Sequence, residues 1–457
     1  MSADRPAVAV AERLAERIVA VEADRLPTPV RARCEETLID VVGLCLAARH
    51  ADYVRSVIAA CDETGSCTAI GHARRLRAID AALLNGTAAH GEDFDDTFEG
   101  GPVHAGAVIV PAVLAACERY GASGAAALAA MAVGIEVMCR LGLVAPKMVH
   151  KAGFHPTAVF GAMGAAAAVG KVLGLDRRQM VDAFGIAGSM ASGIIEYLAE
   201  GAWTKRLHAG WAAQSGLRAA LLARAGFSGP RTVFEGVHGL FHAFANTVEG
   251  DYAALVGDFG ARWVAETLAF KLYPCGTMTH PYIDCARRLH ARGVKVDEIA
   301  EIVCEVGEGT VHRLWEPLAA KQRPANGYAG KFSTPYCIAA GLVRGHVGLA
   351  DFTDEAVRDE AVLAAARLVR YEIDPHNPYP RNFTGHVRVR LHDGRVLEER
   401  QPHLRGGAHE PLTRADIEDK FMHNARHGGY DAARAQAARI AAASVFSGKF
   451  DLAALGG

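Results

Sequence analysis

Four short polar segments interrupt a chain otherwise dominated by alanine, glycine and aliphatic residues, and each carries side chains able to hold or move charge. The first, NGTAAHGEDFDDTFEGGPVHAGAVIVPAVLAA, contains Asp93, Asp96, Thr97 and His104. If GEDFDDT is helical, Asp93 and Thr97 lie one turn apart on the same face, and His104 opens the apolar helix that follows. A histidine there sits beside unpaired backbone N–H groups and the positive end of the helix dipole, a natural carboxylate site. The second segment, KAGFHPTAVFGAMG, repeats the arrangement, with His155 before a Pro156 favoured in the first turn. The third, EGAWTKRLHAGWAAQSG, sets Lys205 and His208 on one helix face at i, i+3. The fourth, AFKLYPCGTMTHPYID, holds Lys271 where the chain changes character, with His280 just after it.

Taken singly, each residue has a plain structural reading: a histidine at a helix start is more often a cap or core residue, and a lysine more often solvated. Repetition in Gly/Ala-rich sequence changes the balance. Burying such groups is costly unless they are paired, and an anionic ligand supplies the pairing.

Two other signals are discounted. GAMGAAAAVGKVLG resembles a phosphate loop only superficially, because it follows no strand and lacks the Ser or Thr after Lys171. The acidic run Glu92, Asp93, Asp95, Asp96 has hard oxygen ligands for a divalent cation. An all-helical metal phosphohydrolase also needs a ligating His-Asp pair on a helix, whereas His392-Asp393 falls in an expected hairpin turn. No metal is expected.

The elements that must position these residues follow from length and patterning. At 457 residues, 51% hydrophobic and 22% charged, the chain can close a large core over two or three folding units. Up to residue 265 the pattern is helical, as in Cys34, Leu38, Val41, Val42 and Cys45. Ser123 is a plausible cap for a buried helix, and Thr157–Leu173 reads as a small-residue helix deep in a bundle. Strand-like pieces follow at Glu301–Val306, Leu368–Ile373 and HVRVRL–HDG–RVLEER, the last a hairpin with Asp393-Gly394 in its turn. Helical character returns with Asp416–Phe421 and Tyr430–Phe446. The expected fold is therefore mainly α: an all-α domain over 1–265 and 402–457, with a smaller α+β domain, 266–401, inserted.

A net charge of −2 offers no basic face for nucleic acid. The ten cysteines show no C-x-x-C pair, so neither a zinc ribbon nor a disulfide framework is expected, and a reducing, cytoplasmic setting fits. Charges at Glu12, Arg13, Glu16 and Arg17 argue against a signal peptide, and the uncharged stretch Ala152–Gly170 reads as a core helix rather than a membrane span.

The strings NG-T-A-x-H-x-x-DFDDT…H, GFHPTAVFG-x-x-GAAAA, the LGL that follows, TKRLHAG-x-AA, YPCG and KFS-x-PY occur in order between about residues 30 and 450. They resemble the MmgE/PrpD family, which contains 2-methylcitrate dehydratases, cis-aconitate decarboxylases and an iminodisuccinate epimerase. The GFHPT string looks closer to the decarboxylase and epimerase side. The resemblance implies a homodimer with a large helical domain, a smaller lid domain, an active site between them and no metal or organic cofactor. It carries the family's site onto Asp93, Thr97, His104, His155, Lys205 and Lys271, with Lys331 and His208 as weaker candidates.

The three family reactions share a carbanion stabilised by a neighbouring carboxylate. They need cations on a small di- or tricarboxylate and one group that moves a proton near neutral pH. Histidine, with an ordinary pKa of about 6.5, suits that role. The expected assignment is His104 as general acid/base oriented by Asp93 and Thr97, with His155, Lys205 and Lys271 binding carboxylates. A metal-dependent hydrolase and a non-catalytic polycarboxylate-binding protein are the readings from other classes.

Overall fold

The structure, a computed structural model, describes residues 8–447 and 450–457. The chain divides into two compact units. The first is helical and comprises the chain up to Gly91, Asp95–Leu268 and Thr413 onward; the second comprises Glu92–Phe94 and Ala269–Leu412. The return to the helical unit thus comes at Thr413, later than residue 402, and three residues of the first polar segment group with the α+β unit.

In the helical unit the site is framed by α1 (Thr28–Ala48), α2 (Ala78–Gly91), α3 (Gly106–Tyr120), α4 (Gly124–Val144), α5 (Pro156–Val172) and α6 (Thr204–Arg224). Small residues let these helices meet at backbone distance. A Cβ on Gly210 of α6 would stand 2.1 Å from the Leu83 carbonyl oxygen of α2, and one on Gly216 would stand 2.4 Å from Ala165 Cβ of α5. Close packing of α6 against both helices brings the C-terminal end of α2, the N-terminal end of α5 and the first turns of α6 together. Those three ends carry His90, His155, and Lys205 with His208.

α4 is long and apolar enough to cross a bilayer, yet 94% of its apolar window is buried within the protein. Its charges are internally matched. Arg140 donates to Asp258 at 2.7 Å, and Glu136 accepts the backbone N–H groups of Val264 and Ala265 at 3.1 and 2.9 Å. Ser123 caps the helix, its hydroxyl accepting from the Ala126 amide at 3.2 Å. The C-terminal helix Arg414–His427 returns to α1, where Lys420 pairs with the buried Asp40 at 2.7 Å and Phe421 packs on Gly43.

The α+β unit holds a four-stranded sheet of β1 (Ile299–Val306), β2 (Val369–Ile373), β3 (Gly385–Leu391) and β4 (Val396–Gln401). β1 lies between a parallel β2 and an antiparallel β3, and β3 and β4 form the antiparallel hairpin, with Gly394 at φ +88° in its turn. Alternation in β3 turns Val387, Val389 and Leu391 into the core and leaves Arg390 exposed. That core is closed by Tyr282, Cys285 and Leu289 of α7 (His280–Ala291), Ile338 and Leu342 of α8 (Thr334–Arg344), and Trp315.

One local expectation fails. GEDFDDT is not helical: α2 ends at Gly91, Asp93 has φ +57°, and Thr97–Phe98 forms a two-residue strand. Asp93 and Thr97 therefore do not share a helix face. Glycine at the helix end and short polar residues after it favour termination and local side-chain bonding over another turn.

Candidate functional site

The loop that follows α2 is organised by two aspartates that sit side by side. Asp95 and Asp96 are both fully buried. Asp95 Oδ2 lies 2.7 Å from His90 Nδ1, and Asp95 Oδ1 lies 3.7 Å from His104 Nδ1. The Asp96 backbone carbonyl accepts from His104 Nδ1 at 2.7 Å, and its carboxylate accepts the Gly106 amide at 2.9 Å where α3 begins. A carbonyl can only accept, so Nδ1 of His104 carries the proton and the lone pair of its neutral ring lies on Nε2. His104 itself precedes α3 by two residues, and its backbone N–H donates to Thr157 Oγ1 of α5 at 3.2 Å.

These contacts bring Asp95 and the Asp96 carbonyl to His104, beside the expected Asp93 and Thr97. Asp93 belongs to the other unit, where its carboxylate and carbonyl both accept from Lys271 Nζ, at 3.0 and 2.8 Å. Asp95 and the Asp96 carbonyl both face His104 Nδ1. Thr97 is buried in its short strand, and the hydroxyl on the His104 backbone belongs to Thr157.

His155 caps α5 immediately before Pro156, as its sequence position predicts. The His155 amide donates to the Gly193 carbonyl at 2.8 Å; Gly193 has φ +115°, and a Cβ there would press on Ala158 and the His208 ring. His155 Nδ1 lies 3.1 Å from His208 Nδ1, so one ring donates and the other accepts. The His155 ring stacks on His90 at 5.5 Å between centroids, His90 is 5.0 Å from His104, and Tyr197 meets both His155 and His208 edge-on. Lys205, one turn before His208 on α6, is buried with them. The helical unit therefore gathers His104, His155, Lys205 and His208, and adds His90 and Asp95.

Burial and mutual repulsion set the charges of this cluster. Burial, then the positive fields of His90 and Lys205, pushes His208 down to about 4. The same causes, in the same order, hold His155 well below the ordinary histidine value. Asp96 goes the other way, pushed up to about 8 by burial and the neighbouring Asp95. The free protein at pH 7 thus presents neutral His155 and His208 beside a lysine, with Asp96 protonated.

In the α+β unit, Lys271 pairs with Asp93, and Lys331 pairs with Glu92 through both its carboxylate and its carbonyl, each at 2.7 Å. Both lysines are buried. His280 is buried there as well, edge-on to Tyr273 at 5.1 Å.

Among the described residues, the trio His90, Asp95 and His104 has ligand atoms within 4.8 Å of one another, close enough to surround a cation. Nδ1 of each ring faces an oxygen acceptor at 2.7 Å, and the Asp93 carboxylate accepts from Lys271.

A family model for the MmgE/PrpD N-terminal domain matches residues 12–252, and one for the MmgE/PrpD C-terminal domain matches residues 273–445. The chain belongs to the MmgE/PrpD family. Similar curated proteins include the cis-aconitate decarboxylase of Aspergillus terreus, 28% identical over 425 residues, covering 87% of this chain and 85% of that protein. The cis-aconitate decarboxylase of Mus musculus is 31% identical over 368 residues, covering 77% and 72% of the two chains. A cis-aconitate decarboxylase-like protein of Aspergillus oryzae is 28% identical over 421 residues, covering 87% and 86%. In this MmgE/PrpD chain His90 stands inside the NGTAAH string, but sequence reasoning did not single it out. Its signals were its fixed place in the NG-T-A-x-H-x-x-DFDDT string and its spacing to the aspartates across the end of α2.

Proposed function

We propose that this protein is a lyase acting on a small polycarboxylate, a decarboxylase or dehydratase of the cis-aconitate or 2-methylcitrate type, working through a carboxylate-stabilised carbanion without a cofactor. The observation that carries this reading is the buried cluster of His90, His104, His155 and His208 beside Lys205, in which the Asp96 carbonyl fixes the Nδ1 proton of His104 and leaves Nε2 as the nitrogen that exchanges one. The names of the curated relatives point to the same substrate class.

In decarboxylation the bond between carbon and one carboxylate breaks, carbon dioxide leaves, and the electron pair delocalises toward a neighbouring carboxyl. His104, carrying a second proton taken from solvent on Nε2, gives that proton to the carbon and returns to the neutral ring. In dehydration the Nε2 lone pair takes the proton beside a carboxylate, and the hydroxyl leaves with a proton as water. In either case His104 Nδ1–H stays on the Asp96 carbonyl, so the ring changes charge without turning. Lys205, His155 and His208 offer the cationic and donor groups that neutralise substrate carboxylates.

Proton NMR in deuterium oxide with cis-aconitate, 2-methylcitrate and iminodisuccinate tests the reading. New alkene signals, with or without carbon dioxide, are expected. Solvent exchange without net change would make the protein an epimerase and overturn the lyase assignment. Binding of all three without turnover would leave a polycarboxylate-binding protein.

We also propose a homodimer. Ile194, Leu198, Trp203 and Trp211 are large apolar side chains exposed on the helical unit, around the start of α6, and a second copy would cover them. Light scattering reporting a monomer at micromolar concentration would refute this.

A further inference from the structure

His90 sits at the last turn of α2, fully buried as a side chain, with its Nδ1 on the equally buried Asp95. Asp95 presents its other oxygen toward His104 Nδ1 at 3.7 Å. The carboxylate is therefore held between two imidazoles, one at hydrogen-bond distance and one in electrostatic range.

The consequence follows from how such a carboxylate is fixed. An aspartate has two soft torsions, and a buried one keeps its direction only if each oxygen is satisfied. His90 Nδ1–H supplies the donor on Oδ2. With that donor in place, Oδ1 stays aimed at His104, favours the imidazolium when the ring takes a second proton, and helps hold Nδ1 on the Asp96 carbonyl. Other groups facing this pair include Asp96 from the same loop, His155 and Thr157 from the start of α5, and Lys205 and His208 from α6 beyond them. His155, His208 and Lys205 offer nitrogens, which cannot substitute for a carboxylate beside a forming cation.

We propose that His90 is a positioning residue that acts through Asp95 to orient the proton-transferring His104. This rests on the functional reading above only in naming His104 as the acid/base group; the relay itself is a matter of hydrogen-bond geometry.

The test separates the two. Asparagine places its side-chain N–H where histidine has Nδ1–H, so His90→Asn keeps the donor to Asp95 and removes the ring; His90→Ala removes both. In protein labelled with 15N-histidine, the His104 resonances are identified by their loss in His104→Asn. They should report a proton on Nδ1 in the wild type and in His90→Asn, and a mixture of tautomers in His90→Ala. On whichever acid is turned over, kcat should fall by about 10–100-fold in His90→Ala with KM nearly unchanged, and recover in His90→Asn. An unchanged His104 spectrum in His90→Ala overturns the proposal even if no substrate is found. Equal loss of kcat in both variants also overturns it, because the ring itself would then be required. Should His90→Ala fail to fold, the His90→Asn spectrum and kcat decide alone: wild-type tautomer and rate support the relay, and loss of either refutes it.

Discussion

His155 and His208 face each other through their Nδ1 atoms, 3.1 Å apart, and both are held in the neutral form. Two imidazolium rings at that distance would repel, and a buried lysine beside them adds to the penalty.

A polyanion entering the cluster reverses that balance. Its carboxylates favour the charged rings, so binding at pH 7 should take up protons. Calorimetric titration with tricarballylate, an unreactive tricarboxylate, in buffers of different ionisation enthalpy measures the uptake directly. Uptake should be positive and diminish as pH falls toward 4, where the free rings begin to be charged already. An enthalpy independent of buffer would refute this.

His104→Asn retains a donor for the Asp96 carbonyl but has no Nε2. Turnover should fall by about 10²–10⁴-fold while the melting temperature stays that of the wild type. Near wild-type kcat in this variant would remove His104 from the acid/base role.

Stability should depend on pH in a way set by opposed groups. His155 and His208 have lowered values in the fold, so the unfolded chain binds protons that they refuse. Their share of stability is full above about pH 6.5 and is lost as pH falls toward about 4. Asp96 is raised to about 8 from 3.8, so its share is full below about 4 and is lost as pH rises to about 8. Below pH 6.5 the two histidines outweigh the one aspartate; above it only Asp96 acts. From these three groups stability peaks near pH 6.5 and declines by about 2 kcal/mol toward pH 8. Asp96→Asn, which mimics the protonated acid, should abolish the alkaline decline. Parallel melting curves for the two proteins would contradict the assignment.

In the α+β unit, Lys271→Met removes the ammonium that pairs with the buried Asp93 carboxylate and should cost about 3–5 kcal/mol. Adding Asp93→Asn should recover most of it, because asparagine tolerates the positive φ at that position. Thermal unfolding of both variants and the wild type measures this; a Lys271→Met protein that melts with the wild type would mean the ion pair contributes nothing.

The sequence by itself determined the classes of element and much of the residue set. Helical periodicity in α1, the Ser123 cap, the His155-Pro156 start of α5 and the alternation and Asp393-Gly394 turn of the β3–β4 hairpin are all local signals. They depend on neighbours a few residues away and are therefore legible in one dimension. The small residues of α5 announced close packing, and Gly216 of α6 is one point where it occurs.

The tertiary structure alone decided which carboxylate serves which histidine. Asp93, Asp95 and Asp96 are nearly equivalent in sequence, separated by one or two positions. The backbone turns left-handed at Asp93, that side chain pairs with Lys271, and Asp95 and Asp96 meet His90 and His104. A loop without periodicity has no rule that assigns each side chain a direction. His90, though part of the quoted motif, drew no role for a related reason: a histidine on an apolar helix looks like core until another segment brings it a partner. Buried charges are placed by the pairs they form across the fold, and those pairs exist only once the fold does.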